Sequence, residues 1–241
     1  MNANLTEIVF ILDRSGSMMG LTYDTIGGFN SFIEKQKAEP GEAVLTTILF
    51  DDQYEVLHNG INLKEVQPMT KDQYWARGTT AMYDAIGKTI NDVGARLSAT
   101  PEEERPSKVI FVITTDGMEN ASREYSQAKI KEMIQHQTDK YSWDFIFLGA
   151  NIDSVKQAAN IGISADFAAD YQPTADGLFC MYDAVDAAVS SSRTYGCVAK
   201  GWADSLASTN AADKVAALTK VDDFAAEVAK AQVKAEYLHT F

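Results

Sequence analysis

Cysteine, histidine and proline are all scarce: the 241-residue chain has 2 Cys, 3 His and 5 Pro. Cys180 and Cys197 form no Cys-x-x-Cys spacing and no Cys/His cluster, which excludes the common zinc frameworks. They are expected as two reduced thiols, since a disulfide would require an oxidising compartment. Positive charge is also short, with 21 Lys and Arg against 34 Asp and Glu, a formal net charge of −13. Such a chain repels phosphate backbones and anionic lipid, so neither nucleic acid nor a membrane is expected as a partner. The plainest reading of the charge is solubility. No apolar stretch approaches the length of a membrane span. The first residues show neither a basic segment nor a long apolar run, so no signal peptide is expected and the protein is placed in the cytoplasm.

Two catalytic signatures are missing as well. No Gly-x-x-x-x-Gly-Lys-Ser/Thr loop is present for a nucleotide, and no Gly-x-Ser-x-Gly elbow for a serine hydrolase.

What is present is a regular alternation of apolar runs and helical patterns. Ile8 to Leu12, Val109 to Ile113 and Trp143 to Leu148 are short, continuously apolar and rich in β-branched or aromatic residues. Such runs suit strands covered on both faces. Val44 to Phe50 and the run starting at Tyr54 flank the tight turn Asp51-Asp52-Gln53, which predicts an antiparallel hairpin. Helical spacing appears at Ile26, Phe29, Phe32 and Ile33, with Asp24 or Thr25 as the cap. It recurs from Met82 to Leu97, from about Glu124 to Gln137 with Ser122 as the cap, and from Leu178 to Val189 with Thr174 as the cap. A short helix is expected around Ala158 and Ile161, and a brief edge strand at Phe167. The pattern predicts an α/β, Rossmann-like doubly wound fold: a mainly parallel sheet, one antiparallel edge hairpin strand, and helices on both faces. A domain over 1–200 is followed by a helical extension over 201–241, where Val215, Leu218, Val221, Phe224 and Val228 recur at helical spacing. That extension either docks on the domain or binds a partner.

Three polar loops carry the chemistry. Asp13, Ser15 and Ser17 follow the first strand, Thr79 and Thr80 open a helix, and Asp116 follows the strand ending at Ile113. In an open α/β sheet, ligands sit beyond the carboxyl ends of strands where the strand order reverses, and these loops would converge there. Hydroxyls and carboxylates are hard oxygen ligands suited to Mg²⁺, Mn²⁺ or Ca²⁺. Each motif alone could equally be a helix cap or an Asx-turn. Arg14 and Arg77 beside the site could pair with an acidic ligand or stand as solvated charges. Trp75 and Met18 are expected at the rim, and Trp143 in the core.

Asp13-Arg14-Ser15-Gly16-Ser17 resembles the Asp-x-Ser-x-Ser motif of von Willebrand factor A domains. Gly78-Thr79-Thr80 with the helix after it resembles the Gly-x-Thr loop of that family, and Thr114-Thr115-Asp116-Gly117 its Thr-Asp-Gly loop. The order of elements fits over about residues 5–195. The resemblance implies a metal-ion-dependent adhesion site (MIDAS). Ser15, Ser17 and Thr80 would bind Mg²⁺ (or Mn²⁺ or Ca²⁺) through their hydroxyls, and Asp13 and Asp116 mainly through water. It implies no enzyme but a metal-dependent protein-binding module, engaging an Asp or Glu of a protein partner. In related adhesion domains the last helix shifts with affinity; the stripe of Leu178, Met181, Val185 and Val189 fits such a slide or a fixed core helix. The competing reading is a metal-dependent phosphate-ester hydrolase, with Asp13 or Asp51 as nucleophile or base. No histidine lies in the three loops to complete a Ser-His-Asp triad.

Overall fold

A computed structural model describes residues 1–206 of the chain. Six strands form one sheet: β1 (Asn2–Asp13), β2 (Glu42–Phe50), β3 (Tyr54–Asn62), β4 (Pro106–Thr115), β5 (Asp144–Gly149) and β6 (Ala168–Asp170). Their order is β3-β2-β1-β4-β5-β6, parallel except for the β2–β3 hairpin. The strand order therefore reverses between β1 and β4, the central pair. That is the crevice where an open α/β sheet binds ligands.

The apolar runs are continuous because both faces are covered. Ile8, Phe10 and Leu12 of β1 point into one core layer with α1 (Thr22–Ala38) and α5 (Ala175–Tyr195). Val9 and Ile11 point into the other, with α2 (Met82–Ala99), α3 (Gln127–Tyr141) and α4 (Ser154–Asn160). β4 and β5 divide their side chains in the same way, Ile110 and Val112 against Phe111 and Ile113, Ile146 and Leu148 against Phe145 and Phe147. Trp143 is buried in the second layer, stacked on Phe111. Met18, expected at the rim, is buried instead.

Helix α5 is held along its length. Gly28 of α1 lies so close to Tyr182 that a Cβ there would meet the ring at 2.1 Å. Lys35 pairs with Asp183, Gln36 donates to Asp186 and Ser190, and Arg193 donates to the Gln36 carbonyl. Thr174 caps α5 as expected, its hydroxyl accepting from the Gly177 N–H. After α5, Trp202 is buried in the core and its indole N–H donates to the Asp166 carbonyl.

Three local expectations change. A 3-10 helix over Gly16–Leu21 runs straight into α1, so Asp24 and Thr25 lie inside the first turn rather than at its cap. Helix α3 starts at Gln127, capped by Ser126, because Ser122 is engaged elsewhere: its hydroxyl accepts from the Asp84 N–H and donates to Glu119. Phe167 lies in a short 3-10 turn, and the edge strand begins at Ala168. The helices expected around Val215 to Val228 lie outside the described residues. Among the described residues no helix is long and apolar enough to cross a membrane.

Candidate metal centre

The central strands deliver the first and third loops side by side. Asp13 is the last residue of β1, and Thr115 the last of β4, whose partner strand is β1. Asp13 is buried, and both of its carboxylate oxygens are engaged. Oδ1 accepts from the Ser15 N–H at 2.6 Å, and Oδ2 from the Thr115 hydroxyl at 2.6 Å. Tyr74, fully buried, donates its hydroxyl to the Asp13 carbonyl. These bonds turn the chain sharply after β1 and aim the serines at β4. Ser15 Oγ and Ser17 Oγ are 3.1 Å apart, and the Ser17 hydroxyl donates to Asp116 Oδ1 at 2.5 Å. Asp13, Ser15, Ser17 and Asp116 thus form one hydrogen-bonded cluster.

The second loop is tied to the first by backbone. The Gly16 N–H donates to the Gly78 carbonyl and the Arg77 N–H to the Arg14 carbonyl. Gly78 has φ +67, and a Cβ there would meet Asp52 at 2.1 Å, so this close passage requires glycine. The two adjacent threonines separate clearly. Thr80 is buried, its N–H held by the Asn120 side chain and its carbonyl by the N–H groups of Asn120 and Ala121. Thr79 is exposed and lines a polar cleft beside the loop, with Asp52, Asp84 and Asn120.

Arg14 and Arg77 are neither loose charges nor free ligand hooks. Arg14 is fully buried, with Nη1 2.7 Å from Glu55 and Nε 3.3 Å from Asp51. The second contact pairs charges without hydrogen-bond alignment, since Nε and Nη2 find no acceptor. Arg77 Nε donates to the same Asp51 oxygen at 2.7 Å. The Trp75 ring lies against both guanidinium groups, 5.5 Å from Arg14 and 5.2 Å from Arg77. The Asp51 carbonyl also accepts from the Ala81 N–H at 2.8 Å. An ionic cluster on the hairpin turn, with Arg14 and Asp51 buried and Arg77 and Glu55 partly exposed, therefore clamps the first and second loops together. Asp51, Thr115, Tyr74 and Asn120 hold the site, and the motif reading did not assign them this work. An aromatic pair, Tyr74-Trp75, inside an otherwise polar loop was the available signal.

Burial raises the carboxyls at the centre. Asp13 is pushed up to about 6, chiefly by desolvation and further by the Asp116 charge, against hydrogen bonds from Thr115 and Ser15 that lower it. Asp116 is also raised by burial, opposed by its bond from Ser17. Among the described residues no group of three or more His, Cys, Asp or Glu is arranged to hold a metal ion. The donor set is therefore two carboxylates and several hydroxyls. That set fits a hard divalent cation: two oxygens bound side by side on an octahedral ion at about 2.1 Å lie about 3 Å apart, close to the serine pair. A cation there would also offset the two buried carboxylates, neither of which is in an ion pair among the described residues.

Two outcomes follow. Replacing the clamp residue, Arg14→Met, leaves Asp51 and Glu55 partly uncompensated and should cost about 3 kcal/mol in urea unfolding. A loss below about 0.5 kcal/mol would mean the cluster does not hold the loops. The raised Asp13 carboxyl sets the sign of the second. An acid raised on folding contributes stability that is full below its unfolded value near 4 and is lost as pH rises through about 6. In EDTA, the melting temperature of Asp13→Asn relative to wild type should therefore rise from pH 4 to pH 8, on top of a pH-independent loss from the acceptor that Asn lacks. A difference that stays constant or falls over that range would contradict the raised Asp13 carboxyl.

No protein-family model matches the sequence, and no curated protein matches it. Solved structures do match. Proximal thread matrix protein 1 from the mussel byssus is similar at 15% identity and a TM-score of 0.51, over 77% of this chain and 46% of that one. The same mussel protein with a zinc-occupied MIDAS motif matches at 16% identity and a TM-score of 0.50, over 77% and 46%. A von Willebrand factor type A structure from Catenulispora acidiphila has 16% identity and a TM-score of 0.49, over 77% and 42%. This chain spans less than half the length of these three structures. With its strand order, its antiparallel edge and the place of its three loops, the chain has the fold of a von Willebrand factor A domain.

Proposed function

We propose that this chain is a divalent-metal-dependent protein-binding module. The ion, Mg²⁺ or else Mn²⁺ or Ca²⁺, would be held by the hydroxyls of Ser15, Ser17 and Thr80, with Asp13 and Asp116 acting through water. When bound, it supplies a strongly positive coordination position for an acidic residue of a protein partner. The observation that carries this reading is the Ser15–Ser17–Asp116 cluster, with hydroxyl oxygens 3.1 Å apart beside a buried carboxylate. Thr80 is preferred over Thr79 because Thr80 is buried with its backbone fixed from both sides, whereas Thr79 faces the neighbouring cleft. A site whose inner ligands are mostly neutral leaves the ion under-compensated, and a partner Asp or Glu meets that charge.

The hydrolase alternative is weakened by the same geometry. Asp51, one of its two candidate bases, is buried and paired with two arginines. Asp13, the other, has both oxygens engaged by Ser15 and Thr115. The lone pairs that Asp13 keeps suit a metal-bound water, and a hydrolase would need a further group to carry the proton onward. Binding therefore explains the site better than turnover does.

Calorimetry with Mg²⁺ tests the metal. Wild type should bind one ion per chain, and Ser15→Ala and Asp116→Ala should each lose that binding. Wild-type affinity in both variants would remove the site assignment. The carboxylate is tested with Mn²⁺ in place of Mg²⁺: acetate should displace a coordinated water and lower the water-proton relaxation enhancement. An enhancement unchanged by acetate, in a protein that does bind Mn²⁺, would leave the metal and remove the carboxylate.

A further inference from the structure

A second cleft of about 500 Å³ opens at the other end of the sheet. It lies where β4 begins at Pro106, whereas the candidate metal centre follows the end of β4 at Thr115. The length of that strand puts about 30 Å between them. One wall is the last turns of α2, with Gly94 and Leu97; the other is the end of α3, and Trp143 and Val109 line the interior. The gap exists partly because Gly94 offers no side chain: a Cβ built there meets nothing within 4 Å.

The lining is unusual for so acidic a chain. Among the described residues it carries Arg105, His136 and Lys140 and no carboxylate. None of the three is in an ion pair among the described residues. Glu102 to Glu104 and Asp139 are near in sequence, but none of them lines the cleft. Tyr141 organises the nitrogen-bearing rim, with Lys140 Nζ 5.3 Å and the His136 ring 5.8 Å from its ring centroid. It also lies 6.5 Å from the Trp143 ring, so an aromatic wall leads inward from that rim. Lys140 in the last turn of α3 also suits the helix dipole, and Arg105 closes the end of α2, whereas His136 has no such local role in the hydrogen bonds among the described residues. Part of the carbonyl set at the two helix ends is already engaged. Arg105 donates to the carbonyls of Thr100 and Ser98, and the N–H groups of Ser142 and Trp143 donate to those of Thr138 and Gln137.

We propose that this cleft binds a small amphipathic anion: a flat aromatic body, seated against Trp143 and Tyr141, with a single acidic group among Arg105, His136 and Lys140. Its volume is in the range of small-molecule sites, and its lining is apolar with a few convergent polar groups. The proposal does not depend on the metal centre.

The probe is 8-anilinonaphthalene-1-sulfonate, compared with the uncharged N-phenyl-1-naphthylamine, on the full chain at low salt. The anion should bind once per chain and move the Trp143 indole N–H resonance. The uncharged compound should bind about tenfold more weakly, roughly 1.4 kcal/mol. His136→Ala with Lys140→Ala, at two exposed positions, should weaken the anion about tenfold and leave the uncharged compound unchanged. Gly94→Phe should fill the cleft and abolish both, with an unchanged circular dichroism melt. Equal affinity for the two compounds, an anion unaffected by the double alanine variant, or binding that persists in a folded Gly94→Phe would each overturn the proposal.

Discussion

Arg14, Asp51 and Arg77 form a charged cluster at the seam between two loops. Arg14 comes from the first loop of the candidate metal site, Arg77 from the second, and Asp51 from the β2–β3 turn between them. The guanidinium of Arg14 has no exposure to solvent, so its desolvation must be repaid by Asp51, Glu55 and the Trp75 face. Because these partners come from different segments, the charges are satisfied only when the segments meet in one arrangement. The hairpin turn, which contributes no proposed metal ligand, is thereby made a fixed point for two loops that do. The third loop is fixed differently, by the ladder between β1 and β4 and by the bond from Thr115 to Asp13.

This division explains how hydroxyl side chains can be set in place before any ligand arrives. Ser15 and Ser17 are short, with little rotamer freedom to lose, and their positions follow from the backbone turn that Asp13 imposes. The turn itself rests on a strand whose side chains are buried on both faces. The cost is borne by the carboxyls: burial raises both Asp13 and Asp116. A site strained in this way favours a positive ligand, because a divalent charge acts on both groups at once.

Much of this was legible in the sequence because it depended on local pattern. Runs such as Val109 to Ile113 are apolar at every position, which identifies central parallel strands. Asp51-Asp52-Gln53 between two such runs identifies the hairpin. The three loops were found by residue type and order, and the structure brings Asp13, Ser15, Ser17 and Asp116 into one cluster. What could not be read depended on distant partners. Arg14 looks like a solvated charge in a polar loop, and only the return of Glu55 and Trp75 shows it buried. Ser122 looks like a helix cap until Asp84 and Glu119 are seen to occupy it. The rim residues Arg105 and His136 are 31 positions apart in sequence, and no local spacing joins them.

The central claim is that the three loops are assembled to take one divalent cation between Ser15, Ser17 and Thr80. Crystals grown with Mn²⁺ and measured at the manganese absorption edge test it directly. A single anomalous peak within coordination distance of the three hydroxyl oxygens is the predicted result. Mn²⁺ bound at another place, with no anomalous density between these residues, would contradict it.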